Sequence, residues 1–69
     1  ETMIIYPNPA IDFVNVSSFE QNENVTILNL NGQIVRSVKI KNDRIDVSDL
    51  KTGIYFVKIK NVYSRFIKK

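Results

Sequence analysis

The stretch Gly53-Ile54-Tyr55-Phe56-Val57-Lys58-Ile59-Lys60 constrains this chain more than any other. Tyr55, Val57 and Ile59 alternate with Phe56, Lys58 and Lys60. A period of two puts successive side chains on opposite sides of the backbone, so this is a half-buried β-strand. Such a strand needs neighbours to satisfy its backbone and a second layer to cover its apolar face. No window holds apolar residues at i, i+3, i+4 and i+7, the spacing a helix would need to supply that layer. The apolar residues are mostly Val, Ile, Phe and Tyr, which suit a pleated surface. The covering layer must therefore be another sheet. With 69 residues the chain holds one domain with a thin core and little room for a deep cleft.

Turn residues recur every 8–12 positions, the spacing of a sandwich or barrel. Residues 3–6 form a short strand stopped by Pro7 and Pro9, which cannot donate to a ladder. Asn8 precedes a proline and is held extended, so Tyr6-Pro7-Asn8-Pro9 is a stiff corner. The two prolines serve either to present a recognition surface or to steer the chain into the fold, and the steering role is favoured because proline lowers the entropy of the unfolded state. Residues 12–16 form the second strand and 20–24 a polar loop. Residues 25–30 and 33–41 flank Asn31-Gly32, a hairpin signal that predicts a two-residue turn with positive φ at both positions. Ile34, Val38 and Ile40 are expected to share the buried face. Asn42-Asp43 is a turn, 44–47 a fifth strand and 48–52 a connection closed by Gly53. After the strand at 53–60, residues 61–63 turn the chain into a last strand at 64–68. The prediction is an all-β, seven-stranded antiparallel immunoglobulin-like β-sandwich, with a five-stranded barrel as the alternative. Its expected core is Val14, Val16, Ile27, Val38, Val47, Tyr55, Val57 and Ile59, joined by Phe66.

Histidine and cysteine are absent, which removes the usual catalytic triads, zinc sites and disulfides. Ser48-Asp49-Leu50-Lys51 fits the letters S-x-x-K, but falls in a connection between strands rather than at a helix start. Asp43, Asp46 and Asp49 recur every third residue without the spacing of a calcium loop, and turn chemistry accounts for Asp43 and Asp49. The reading is no enzyme, no cofactor and no metal. The longest apolar run is Ile54-Tyr55-Phe56-Val57, far below the roughly 20 residues of a membrane span, so no membrane insertion is expected. Charge is lopsided: residues 1–35 hold four acidic and no basic residues, and residues 36–69 hold all ten basic and three acidic ones. The basic half interleaves Phe56, Tyr63 and Phe66 with lysine and arginine, the composition of a nucleic-acid platform. A core this small needs most of its aromatics inside, and no nucleic acid is expected.

Four segments together resemble a known family. Tyr6-Pro7-Asn8-Pro9-Ala10 resembles the opening motif of the type A C-terminal sorting domains of type IX secretion. Asn31-Gly32-Gln33-Ile34-Val35 resembles their central hairpin, and Gly53-Ile54-Tyr55-Phe56-Val57-Lys58-Ile59 their late G-x-Y-x-V-x-I strand. The end of the chain, with Arg65, Lys68 and Lys69, resembles their basic terminal strand. The resemblance implies a C-terminal secretion signal with no chemistry of its own. It implies a passenger on the N-terminal side, transit through the periplasm of a Gram-negative bacterium, and recognition by the type IX translocon. In the family a sortase-like protease usually then removes the domain, with the passenger at the cell surface or in the medium. A chain that opens on Glu1 without a signal peptide is read as the end of a longer secreted protein. The recognition residues expected are Tyr6, Pro7, Asn8, Pro9, Gly32, Gln33, Gly53, Tyr55, Val57, Ile59, Arg65, Lys68 and Lys69. Lys68 and Lys69 are expected at a loosely ordered, exposed end. The competing reading is an adhesion or glycan-binding module, which predicts exposed aromatics gathered on one flat platform.

Overall fold

A computed structural model describes residues 4–17, 23–40 and 44–69. It contains seven strands: β1 (Ile5–Tyr6), β2 (Phe13–Val16), β3 (Asn24–Asn29), β4 (Ile34–Lys39), β5 (Arg44–Asp46), β6 (Gly53–Ile59) and β7 (Val62–Lys68). Neighbouring strands all pair antiparallel. They form a three-stranded sheet in the order β1-β2-β5 and a four-stranded sheet in the order β4-β3-β6-β7. The all-β, seven-stranded, immunoglobulin-like sandwich is the fold, and the barrel is not. Met3, residues 20–22 of the predicted loop and the predicted Asn42-Asp43 turn lie outside the described residues.

The two-residue period decides what goes inside. Val14 and Val16 from β2 and Ile45 from β5 face Val25 and Ile27 from β3, Tyr55, Val57 and Ile59 from β6, and Phe66 from β7. Seven of the eight expected core residues are buried; Val38 is half-buried and packs against the rest. Each fully buried aliphatic side chain of this size is worth about 1.5–3 kcal/mol in transfer alone. Tyr55 and Phe66 oppose one another across β6 and β7 and stack with ring centroids 5.6 Å apart.

Three local expectations are corrected. The β3–β4 connection is not a two-residue turn, for Gly32 has φ +81° while Asn31 does not enter the positive region. Gly32 N–H donates to the Asn29 carbonyl at 3.0 Å, and Asn29 N–H donates to the Gln33 carbonyl at 2.9 Å. This is a three-residue loop in which a turn is followed by one left-handed residue. Its stabiliser is the Asn29 side chain, whose Oδ1 accepts from Asn31 N–H at 2.9 Å and Gln33 N–H at 3.0 Å.

Ile34 is not in the core but 66% exposed. A bulge shifts the register between Ile27 and Leu28, so Ile34 opposes outward-facing Leu28 and is carried to the outer face. The last hairpin turns at Lys60-Asn61, with Lys60 at φ +55° and Ile59 pairing with Val62. Tyr63 therefore lies inside β7 opposite Lys58, rather than in the turn.

Arg36 takes an inward-line position of β4 and crosses between the sheets. It donates to the Asp46 carbonyl at the end of β5 and to both carboxylate oxygens of Asp49, the Oδ2 contact being 2.6 Å.

Candidate recognition site at the joined chain ends

The corner after β1 leaves the three-stranded sheet and meets the edge of the other. Tyr6 pairs with Asn15 in β1–β2, and its side chain is exposed. The Tyr6-Pro7 and Asn8-Pro9 bonds are both cis, and Pro7, Asn8 and Pro9 are exposed. Ala10 is fully buried and forms a parallel bridge to Lys68. Ala10 N–H donates to the Ile67 carbonyl at 2.7 Å, and Lys69 N–H donates to the Ala10 carbonyl at 2.8 Å. That leaves the Ile67 N–H on the outer edge of β7. The Asn8 side chain takes it, with Oδ1 accepting at 2.9 Å across 59 positions of sequence. A sheet edge with free N–H groups invites unwanted pairing, and the corner closes this one.

Lys68 is placed quite differently from the expected exposed end. It is 6% exposed, on the same inward line of β7 as Phe66. Its stem fills core space while Nζ donates to the Leu50 carbonyl at 3.1 Å and the Lys69 carbonyl at 3.0 Å. A buried ammonium is tolerated only when its protons find acceptors, and two carbonyls serve here. The expectation failed because lysine in a terminal strand reads as a solvated charge. Only the pairing of Lys68 with Gly53, beside the 48–52 connection, creates the acceptors. Tyr55 grips the same connection, its hydroxyl donating to the Lys51 carbonyl at 2.7 Å. Lys69 keeps its side chain exposed but is fixed through its backbone.

The structure thus joins Asn8, Gly53, Tyr55, Lys68 and Lys69 at one end of the sandwich. Gly32 and Gln33 lie at the same end of the sheet, since Asn29 opposes Tyr55, but two strands away from β7. Gln33 supports its own loop, its Oε1 accepting from Asn29 Nδ2 at 3.0 Å. Arg65 stands apart on the outer face of β7, opposite Phe56. Val57 and Ile59 are fully buried and present no surface to a partner. Sequence reasoning missed Arg36, although counting 36, 38 and 40 along β4 places it on the inward line. It also missed the Leu50 and Lys51 carbonyls, for which a sequence carries no signal.

Asp46 and Asp49 are turn and clamp residues. The Ser48 backbone N–H on its Oδ1, 2.9 Å away, is the main cause holding the Asp46 carboxyl below its ordinary pKa. The Arg36 guanidinium bonded to Asp49 lowers that carboxyl in the same direction. Asp43 lies outside the described residues, and among the described residues no three ligating side chains gather. Among the described residues the exposed aromatics are Tyr6 and Tyr63, which lie on different sheets and form no flat platform.

The described residues make a thin sandwich in which Asn8 and Ala10 tie the corner after β1 to β7 and Lys68 is held by main-chain oxygens. Residues 4–69 match the secretion system C-terminal sorting domain, and the chain belongs to that family. Its role is that of a non-catalytic C-terminal sorting signal of type IX secretion. Two proteins of Zobellia galactanivorans are similar to it. Beta-agarase D is 33% identical over 69 residues, covering 100% of this chain and 14% of the agarase. Beta-agarase A is 33% identical over 70 residues, covering 96% of this chain and 13% of the agarase. The chain therefore spans about a seventh of the length of these relatives.

Proposed function

We propose that this domain is the export address of a larger passenger, carried on its N-terminal side and delivered from the periplasm to the cell surface or medium. The type IX translocon takes the folded sandwich, the passenger crosses the outer membrane, and a sortase-like protease removes the domain. The observation that carries this reading is the family match over residues 4–69. It is supported by the small share of the two agarases that resembles this chain, which leaves most of each protein outside the sorting domain. An enzyme or an adhesin is the class of passenger this reading implies. The tie of Asn8 to Ile67 supports a division of labour within the family motifs. The Tyr6-Pro7-Asn8-Pro9 corner, Gly32, Gly53, Tyr55, Val57, Ile59 and Lys68 hold the sandwich, and Arg65 and Lys69 are left as charged contacts.

The test is a folded reporter with an N-terminal signal peptide and this chain at its C-terminus, expressed in a bacterium with type IX machinery. Reporter at the surface or in the medium, and in the periplasm of a translocon-deficient strain, is the expected result. Equal release from both strains would sink the sorting reading.

A further inference from the structure

The outer face of the four-stranded sheet carries an unusual combination of side chains. Its outward positions follow from alternation against the buried ones, and the register aligns them across strands. Ile34 opposes Leu28, Leu28 opposes Phe56, and Ile54 opposes Ile67. These five residues make an apolar band from the β4 edge to the β7 edge. Ile54 is 37% and Ile67 41% exposed, and Leu28 and Phe56 are half-buried. Leu30, 66% exposed, extends the band at the hairpin tip. On one side of the band stand Lys39, Lys58 and Arg65, with Lys58 Nζ 5.6 Å from the Tyr63 ring centre. No outward position of these four strands is Asp or Glu. The three-stranded sheet differs: its outer face is small, mixes Arg44 with Asp46, and has Arg44 4.0 Å over the Phe13 ring.

We propose that this face docks on a protein surface of the export machinery that presents an apolar strip edged by carboxylates. The proposal rests on the sorting reading above and names the face that reading leaves open. Contiguous exposed apolar surface of this kind marks an interaction site. A cationic margin with no acid at the outward strand positions selects an anionic partner and repels a basic one. Lys39, Lys58 and Arg65 sit at fixed strand positions along one margin of the band, an arrangement suited to pairing with individual carboxylates at set positions rather than with the diffuse charge of headgroups. A partner protein with a matching strip therefore fits the face better than lipid does. Ile4, next to β1, joins the opposite sheet, where its carbonyl accepts from Ser17 N–H at 3.0 Å.

The test uses the same reporter fusion in a type IX host. Two double variants alter the face: Lys58→Glu with Arg65→Glu reverses its charge, and Ile54→Thr with Ile67→Thr removes apolar surface while keeping β-branched residues. Arg44→Glu on the other sheet is the control. Surface reporter is expected to fall about tenfold or more in both double variants, a loss of roughly 1.4 kcal/mol of recognition, and to hold in the control. Melting of each purified fusion verifies folding, and if the charge-reversed pair melts early the threonine pair decides. Normal export of a folded double variant overturns the proposal and leaves the sorting reading intact. No export of the unaltered fusion defeats both. Vesicles of phosphatidylglycerol form a separate arm: sedimentation of the unaltered fusion, lost on charge reversal, would make lipid the occupant and overturn the proposal.

Discussion

Two adjacent lysines at the end of the chain are predicted to behave oppositely. Lys68→Glu would put a carboxylate against the Leu50 and Lys69 carbonyls, three acceptors with no donor among them. Leaving such a group unsatisfied inside costs about 1–3 kcal/mol, more when charged. In a domain of this size each kcal/mol shifts the melting temperature by about 4–8 °C. A drop of roughly 10 °C or more is expected for Lys68→Glu, and almost none for Lys69→Glu, whose side chain is exposed. Equal melting of the two variants by circular dichroism would refute the buried placement of Lys68. Asn8 offers a second residue-scale check. Asn8→Ala strands the Ile67 N–H and should lower stability by about 1 kcal/mol, whereas Asn8→Asp keeps an acceptor in place and should restore most of it. An alanine variant as stable as the unaltered chain in urea would show the tie to be idle. Neither residue's role was legible from sequence. A lysine announces solvent, and an asparagine between prolines announces a turn; the partners of both lie on remote strands.

At the scale of the element, legibility followed locality. β6 and the β2 core positions were readable because burial there repeats every second residue without interruption. The β3–β4 hairpin was readable as a hairpin but not as this hairpin. Asn31-Gly32 suits a two-residue turn, yet Asn29 binds two backbone N–H groups downstream and draws the loop out to three residues. The bulge that follows moved Ile34 outward, and no periodicity rule records a bulge in advance. This geometry fixes a prediction at Gly32. Its φ of +81° is one that L side chains rarely adopt, and nothing lies within 4 Å of where a Cβ would stand. The cost of Gly32→Ala is thus conformational rather than steric, about 1–2 kcal/mol. Gly32→Asn should cost less, because asparagine tolerates the left-handed region. Thermal denaturation of the pair checks this, and an alanine variant no less stable than the asparagine one would contradict the turn as described.

For the whole molecule, the question is what keeps two small sheets in one arrangement. Apolar burial presses them together but is not directional. Direction comes from ties that cross between them: Ala10 and Asn8 on β7 at one side, and Arg36 reaching Asp46 and Asp49 at the other. The layered fold was legible because strand count and patterning leave few alternatives; the ties were not, because each joins residues brought together only after the layers pack. The Arg36 tie makes stability depend on acid. Asp49, bonded by Arg36, and Asp46, bonded by the Ser48 N–H, both have folded pKa values below the ordinary 3.8. A depressed carboxylate contributes stability that is complete above its unfolded pKa and is lost as pH falls through the folded one. The contribution should therefore be full at neutral pH, begin to decline below 3.8, and vanish in stronger acid. Asp49→Asn removes one of the two groups. The variant should melt below the unaltered chain at pH 7, and the gap should narrow as pH falls below 3.8. Asp49 is largely exposed, so salt should also narrow the gap at pH 7. Melting curves across that range decide the matter. A gap that stays constant with pH would mean that Asp49 acts through packing and that its charge does not hold the sheets.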